Sequence, residues 1–352
     1  MRNITFLTDF PTQYFCKALN SLDFKVDIYT LFEKSNIRTS DFYSTNKNIY
    51  SINSGHNEYN KWRLFKRVFN LISNKNEFSS VVCICGWDYL EYWFLIFFIK
   101  PKYVILNLES TIVESNYTGI SGLLKRLFMK KIDFVIVPGQ RQKDLALKLG
   151  FNKEIYFLNG VGFHHWYGKQ FNNQINIKGA YKNILYIGRL SKEKGIDMIL
   201  AVAKLLPDFN FTIIGSGPDQ DIIKLSILNK ELNNINLIGH VNNIELETYY
   251  LNNDILILPS FSEVWGLVIE EAAHFQIPVI AADIVGCVDD YILKFNIGLV
   301  FKNKDILDFK EKIEKLSNQT EYSALKRNLI NLNLYKENPF ANTFDHILQK
   351  CI

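Results

Sequence analysis

The sequence has few of the features that mark disulfide-stapled or zinc-binding proteins. Its five cysteines are an odd number, and their spacing fits neither a zinc site nor a disulfide framework. Cys83 and Cys85 stand two residues apart in an apolar, strand-like run, so their side chains share one face. We interpret them as core thiols of a reduced, cytosolic protein.

Long hydrophobic runs are also missing. No segment reaches the ~20 apolar residues that a helix needs to cross a bilayer. The best candidate, YWFLIFFI at 92–99, is short and is bounded by Glu91 and by Lys100-Pro101-Lys102. The apolar run at the start soon meets an acid, which is typical of a strand and not of a signal peptide. These features predict a cytoplasmic protein.

Charge is unevenly spread along the 352 residues. Residues 1–170 hold 22 Lys+Arg against 14 Asp+Glu, whereas residues 171–352 hold 18 against 22. The basic half includes KWRLFKR (61–67) and KRLFMKK (125–131), which mix basic and apolar residues at helical spacing. Such segments fit contact with an anionic membrane, an acidic acceptor, or a plain solvated helix face. The basic-aromatic grooves that bind nucleic acids are not evident.

Short apolar runs alternate with amphipathic stretches, which predicts parallel sheets built from βαβ units. The rhythm lapses at 163–182, a predicted linker, and then restarts, so we expect an α/β protein with two Rossmann-like, doubly wound domains facing a central cleft. The predicted domains span 1–165 and 183–335. The third predicted segment is a C-terminal helix, 336–352, with Pro339 in its first turn.

Two loops of the second half contain glycines, and the first of them also contains cations. GRLSKEKG (188–195) places Arg189 and Lys194 before a helix, which favours an anion such as a diphosphate, although a solvated loop explains the charges as well. In GSGP (215–218), Gly215 and Gly217 allow close approach of the backbone to a ligand, and a simple strand-to-helix turn remains an equal alternative.

The stretch LPSFSEVWGLVIEEA (258–272) contains two acids eight residues apart, Glu263 and Glu271. Ser260 with Glu263 resembles a capping box, which predicts a helix from about Glu263. A wholly helical 263–271 would separate the carboxylates by about 12 Å along the axis, at ~1.5 Å per residue. That length suits a ribose–diphosphate–sugar array, whereas the simpler reading is a helix that begins with an acid.

Together these motifs, with IPVIAADIVG (277–286), resemble the retaining glycosyltransferases of family 4, which have the GT-B fold and a C-terminal helix that crosses back to the first domain. The resemblance implies sugar transfer from a UDP- or GDP-linked donor with retention, without a metal or other cofactor. It implies that Arg189 and Lys194 hold the diphosphate, Glu271 the ribose and Glu263 the transferred sugar. The implied backbone contacts of the donor come from Gly215, Gly217, His240, Val241, Gly266 and Leu267.

Departures from the family pattern lie mainly in the first half. The loop after the first strand reads DFPTQYF (9–15), with Thr12, where relatives are rich in glycine. Glu109 and Ser110 stand where many relatives have a histidine facing the sugar, so both are candidates for the sugar or acceptor side, with Glu109 also a candidate catalytic residue. A strand-end acid held by a nearby cation is the alternative for Glu109.

The expected acceptor is a glycan or lipid-linked molecule of surface polysaccharide biosynthesis, met at the inner membrane face. Two rival functions stay open: a nucleotide-sugar epimerase of similar architecture, and a non-catalytic nucleotide-sugar-binding subunit.

Overall fold

The structure is a computed structural model that divides into two compact units. One comprises Met1–Phe163 with Glu337–Ile352, and the other comprises His164–Lys336. The residues described are 3–9, 19, 25–31, 49–52, 61–73, 78–87, 89–158, 160, 180–229, 231–332 and 339–351. At 61–65, 67 and 339–341 only the backbone is described.

The first unit contains a seven-stranded parallel sheet in the order β3-β2-β1-β4-β5-β6-β7. Its strands are β1 (Asn3–Thr8), β2 (Lys25–Thr30), β3 (Ile49–Ser51), β4 (Val81–Cys85), β5 (Tyr103–Asn107), β6 (Phe134–Val137) and β7 (Glu154–Phe157). Its helices are α1 (Lys61–Ser73), α2 (Leu90–Ile99), α3 (Gly119–Met129) and α4 (Gln140–Lys148), joined by the C-terminal helix described below. The central strands are almost wholly buried, as expected where helices cover both faces of a parallel sheet.

The last described helix of the chain, Pro339–Lys350, packs against the first unit. Its residues Phe344, Ile347 and Leu348 share one buried cluster with β1 and β4, and the Phe344 ring lies 5.3 Å from that of Phe6. Lys350 Nζ also donates to Glu154 Oε2 of β7 at 2.6 Å. The predicted return of the C-terminal helix to the first domain is therefore confirmed, although the described helix begins at Pro339 and not at 336.

The second unit repeats the plan with a six-stranded parallel sheet in the order β10-β9-β8-β11-β12-β13. Its strands are β8 (Asn183–Ile187), β9 (Asn210–Ile214), β10 (Ile235–Gly239), β11 (Ile255–Leu258), β12 (Val279–Ala282) and β13 (Gly298–Phe301). Its helices are α5 (Ile196–Leu205), α6 (Gln220–Leu228), α7 (Leu246–Asn252), α8 (Leu267–His274), α9 (Ile306–Leu316) and α10 (Gln319–Asn331), and the C-terminal helix is α11. Two 3-10 turns, Lys192–Lys194 and Asn243–Glu245, and a π-helix, Val288–Leu293, complete it.

The α/β class with two Rossmann-like sheets is confirmed, whereas some local expectations were wrong. The strand β3, Ile49–Ser51, is too short to leave a clear pattern and was not predicted. The helix expected from Glu263 begins instead at Leu267. The expected linker falls almost entirely outside the described residues, and the cleft stays a prediction.

Candidate functional site

The carboxyl edge of the second sheet gathers the predicted binding residues. Strand order reverses between β8 and β11, which lie side by side. In open parallel sheets, ligands bind beyond the carboxyl ends of the strands at such a reversal. The segments 188–195 and 259–266 leave β8 and β11 at this point, and 215–219 leaves the neighbouring β9.

Backbone hydrogen bonds hold these loops together. The Leu190 amide donates to the Ser216 carbonyl at 3.0 Å, which joins the first loop to the second. The Phe261 amide donates to the Glu193 carbonyl at 2.8 Å, which joins the first loop to the third. Because each bond connects loops that follow different strands, the bonds fix the relative positions of the three loops.

Lys194 and Glu263 form an ion pair across two of these loops. Lys194 Nζ donates to Glu263 Oε2 at 2.7 Å, and the two side chains are 22% and 16% exposed. Lys194 ends the 3-10 turn Lys192–Lys194, and Gly195 follows in the left-handed region at φ 71°. The predicted diphosphate cation and the predicted sugar carboxylate therefore lie in direct contact.

Arg189 is exposed, and its backbone carbonyl accepts a hydrogen bond from a buried side chain. Buried Tyr186 donates its hydroxyl to the Arg189 carbonyl at 2.8 Å. An acid also belongs to this loop: Ser191 Oγ donates to Glu193 Oε1 at 2.5 Å, and this bond lowers the pKa of Glu193, with Arg189 and Lys194 acting in the same direction. Sequence analysis missed Glu193 because a single acid within SKEKG carries no signal of its own.

Gly215 and Gly217 allow two loops of the chain to lie in close contact. A Cβ on Gly215 would lie 1.8 Å from the Gly188 carbonyl oxygen, and one on Gly217 would lie 2.3 Å from the Leu190 carbonyl oxygen. Only glycine lets the loops after β8 and β9 approach this closely. This explains both residues by packing, and their contacts with a donor stay a prediction.

The segment before α8 differs from the expected helix. Gly266 lies in the left-handed region at φ 101° and precedes the first helical residue, Leu267. The capping box of Ser260 and Glu263 is therefore wrong, because no helix begins there, and the axial spacing of about 12 Å loses its basis. Ser260 is instead wholly buried at the end of β11, and its hydroxyl has no partner in the described part of the chain.

Glu271 lies in α8 beside a tyrosine that sequence analysis did not single out. Tyr250 of α7 is fully buried, stacks on Phe275 with ring centroids 4.7 Å apart, and donates its hydroxyl to Glu271 Oε2 at 2.6 Å. Burial raises the pKa of Glu271 to about 7 against the lowering effect of this bond, and the neighbouring Glu270 carboxylate raises it further. Burial therefore moves the ionisation of Glu271 from the acidic range towards neutral pH.

The remaining donor-side residues lie nearby along the sheet. His240, exposed, and Val241, half-buried, follow β10, whose end is tied to that of β9 by the bond from the Gly215 amide to the Gly239 carbonyl at 2.8 Å. Within the residues described, no group of three or more His, Cys, Asp or Glu is arranged to hold a metal ion.

The predicted acceptor-side residues lie at the carboxyl edge of the first unit's sheet. Glu109 follows β5 and accepts from Asn107 Nδ2 at 3.2 Å, and half-buried Ser110 follows it. Burial raises the pKa of the Cys85 thiol, and Cys83 and the carboxylates of Glu109 and Asp9 raise it further. Thr12 lies outside the described residues.

Part of the chain is similar in sequence to known proteins. Residues 169–331 match the family model described as "Glycosyl transferases group 1". A 41.2 kDa protein of the cps region of Klebsiella pneumoniae is 31% identical over 168 residues, which is 46% of each chain. The capsular polysaccharide biosynthesis glycosyltransferase CapM of Staphylococcus aureus is 26% identical over 230 residues, or 62% of this chain and 57% of that one. The matched region thus spans about half the length of these curated relatives.

Solved structures match nearly the whole chain at low identity. Sucrose-phosphate synthase from Thermosynechococcus elongatus has a TM-score of 0.75 at 17% identity over 99% of both chains. The Anabaena protein HepE, solved with UDP and glucose, has a TM-score of 0.71 at 13% identity over 99% of this chain and 100% of that one. The two-domain fold is thus the GT-B fold. Residues 169–331, which lie in the second unit, are similar to the glycosyl transferases group 1 domain.

Proposed function

We propose that the chain is a retaining glycosyltransferase of family 4 that moves a hexose from a nucleotide-diphosphate sugar to a glycan or lipid-linked acceptor. The observation that carries this proposal is the ion pair of Lys194 and Glu263, which joins two loops at the carboxyl edge of the second sheet, with Arg189 in the first of these loops. Cations beside a carboxylate match a donor that joins an anionic diphosphate to a hydroxyl-bearing sugar. The family match over 169–331 supports the same class.

The proposed reaction breaks the bond between the anomeric carbon and the diphosphate oxygen and forms one to the acceptor oxygen. Arg189 and Lys194 stabilise the negative charge that develops on the departing diphosphate, because preorganised charges act most strongly where charge develops. Glu263 accepts hydrogen bonds from hydroxyl groups of the sugar. Its ion pair with Lys194 also keeps the lysine side chain oriented. The acceptor proton passes to the departing phosphate oxygen, and retention follows from delivery on the face that the diphosphate leaves. No metal ion or other cofactor has a part in this proposal.

Glu271 is assigned to the ribose, where its carboxylate accepts hydrogen bonds from both hydroxyl groups. His240 and Val241 are assigned to the base, through main-chain contacts. Glu109 and Ser110 are assigned to the sugar or acceptor side. The Anabaena structure with UDP and glucose supports a UDP-linked donor, and GDP remains the second choice.

A role in surface polysaccharide assembly rests on the names of two relatives. The Klebsiella pneumoniae protein is encoded in a cps region, and CapM is a capsular polysaccharide glycosyltransferase. We extend this role to the present chain, with a glycan or lipid-linked acceptor.

Titration calorimetry without added metal tests the donor site. UDP, GDP, ADP and their common sugar conjugates are titrated into the wild type, Glu271→Gln and the control Glu231→Gln, an exposed acid of the same unit. We expect one nucleotide to bind, with at least about tenfold weaker affinity in Glu271→Gln, because a carboxylate accepts charge-assisted bonds worth roughly 1.5–3 kcal/mol. Equal affinity of Glu271→Gln and Glu231→Gln would contradict the assignment of Glu271 to the ribose. Absence of binding to any of the nucleotides would contradict the proposal of a donor site.

Product analysis with the donor so identified separates the three candidate functions. A transferase releases nucleoside diphosphate and adds the sugar to an acceptor. An epimerase converts the sugar without an acceptor, and a binding subunit leaves the donor unchanged. Proton NMR of the anomeric signal in the product tests retention.

A further inference from the structure

Two neighbouring helices of the first unit expose an unusual amount of apolar surface. On α2, the exposed residues are Leu90 (54%), Phe94 (41%), Phe97 (41%) and Phe98 (56%). These residues recur at helical spacing, so they form one face, while Tyr92, Leu95 and Ile96 of the same helix are buried. Large side chains left in water at this density indicate an interaction surface.

Helix α3 continues this surface. Its exposed residues are Ile120 (79%), Leu123 (55%), Leu124 (46%) and Leu127 (47%), again on one helical face. The helices are in contact, because Trp93 of α2 stacks on Phe128 of α3 with ring centroids 4.4 Å apart. Lys131 Nζ lies 5.4 Å from the Phe97 ring centroid, so a cation that follows α3 borders the apolar face of α2.

The two helices that form this surface carry mainly positive charge. The helices with the residues that follow them, 90–102 and 119–131, contain six Lys or Arg, namely Lys100, Lys102, Lys125, Arg126, Lys130 and Lys131. Their one acid, Glu91, is 1% exposed. An apolar face on two helices that carry six cations and one buried acid matches an anionic lipid surface, where rings and aliphatic chains enter the headgroup region and lysines meet lipid phosphates.

The same charges argue against a second copy of the chain as the occupant. An isologous contact would bring two sets of six like charges together, and such juxtaposition opposes association. Most side chains of the basic segment 61–67 lie outside those that the structure describes. Within the described residues, no helix is long and apolar enough to cross a membrane.

We propose that the surface formed by α2 and α3 docks the protein on an anionic lipid bilayer. Both helices follow the carboxyl edge of their sheet: α2 comes after β4, and α3 comes after β5 and the loop that holds Glu109 and Ser110. Docking brings the edge assigned to the acceptor close to lipid headgroups. This inference rests on the proposed function, which allows a glycan or a lipid-linked acceptor. Docking favours the lipid-linked acceptor, carried in the same bilayer.

Vesicle flotation of the full chain tests this surface, with phosphatidylcholine alone and mixed with phosphatidylglycerol. The test variant is Phe98→Ser with Lys130→Gln. The control is Leu147→Ser with Lys148→Gln, a matched pair on the same unit, where Leu147 is 49% exposed and Lys148 ends α4. Circular dichroism and donor calorimetry of both variants report folding.

We expect wild type and control to float with the mixed vesicles. The test variant should bind about 25-fold more weakly, because loss of the cation weakens binding roughly fivefold and loss of the aromatic ring weakens it by at least as much again. Absence of wild-type binding, equal loss in both variants, equal binding to neutral vesicles, or a dimer lost in the test variant would each overturn the proposal. The assay needs neither donor nor acceptor, so its failure is distinguishable from failure of the transferase proposal.

Discussion

Replacing Glu271 by glutamine should make the protein more stable above neutral pH. The carboxyl group is half-buried in α8, and its pKa lies near 7, first because burial disfavours the charged form and then because Glu270 is close. Glutamine has the same shape, carries no charge and keeps an oxygen that accepts from Tyr250. The substitution therefore removes the ionisation while it preserves the hydrogen bond.

The size of the effect follows from the difference between folded and unfolded states. The pKa rises from 4.5 to about 7 on folding, and each unit corresponds to about 1.36 kcal/mol, so the ionised side chain costs at most ~3 kcal/mol. Between pH 4.5 and about 7 the folded state keeps a proton that the unfolded state has lost, so stability falls as pH rises through this window. The full penalty is present above pH 7 and absent below pH 4.5.

Urea denaturation at about pH 5 and pH 8 measures this difference. The expected result is that Glu271→Gln exceeds the wild type by up to ~3 kcal/mol at the higher pH and by much less at the lower one. Hydrogen exchange of α8 assigns the transition to the second unit, and the exposed control Glu231→Gln should show no such dependence. A gain that is equal at both pH values, or a loss at the higher pH, would refute the reasoning.

Tyr250→Phe should move the midpoint of pH-dependent donor binding upward, because the lost hydrogen bond raises the pKa of Glu271 further; an unchanged midpoint in calorimetry across pH would contradict this. Lys194→Ala should weaken nucleoside diphosphate binding by about tenfold or more, the loss of a charge-assisted contact, while the exposed Lys192→Ala of the same turn should not, again by calorimetry. Gly215→Ala should destabilise the second unit by at least ~2 kcal/mol in urea denaturation, since its Cβ would meet a carbonyl oxygen at 1.8 Å. Gly239 also has a positive φ, 86° against 142° at Gly215, but open space around it, so a loss as large in Gly239→Ala would assign the effect to backbone strain alone.

Much of the fold could be predicted because parallel sheets leave a local signature. Apolar runs such as NILYI at β8 and ILIL at β11 are buried on both faces, and amphipathic helices separate them. The three residues of β3 were missed, since they pair along β2 and carry no pattern of their own. The start of α8 was misplaced by a capping signal that competing tertiary bonds override, among them the donation from the Gly286 amide to the Glu263 carbonyl at 3.0 Å.

The candidate site divides in the same way. The sequence by itself determined which strand ends carry Arg189, Lys194 and Glu263, because the carboxyl ends of parallel strands meet at one edge of a sheet whatever their order in the chain. Only the tertiary structure decided that Lys194 pairs with Glu263, 69 residues away, and that Tyr250 holds Glu271, 21 residues away. Such contacts depend on how loops pack after the strands are in register, and local spacing holds no record of that packing.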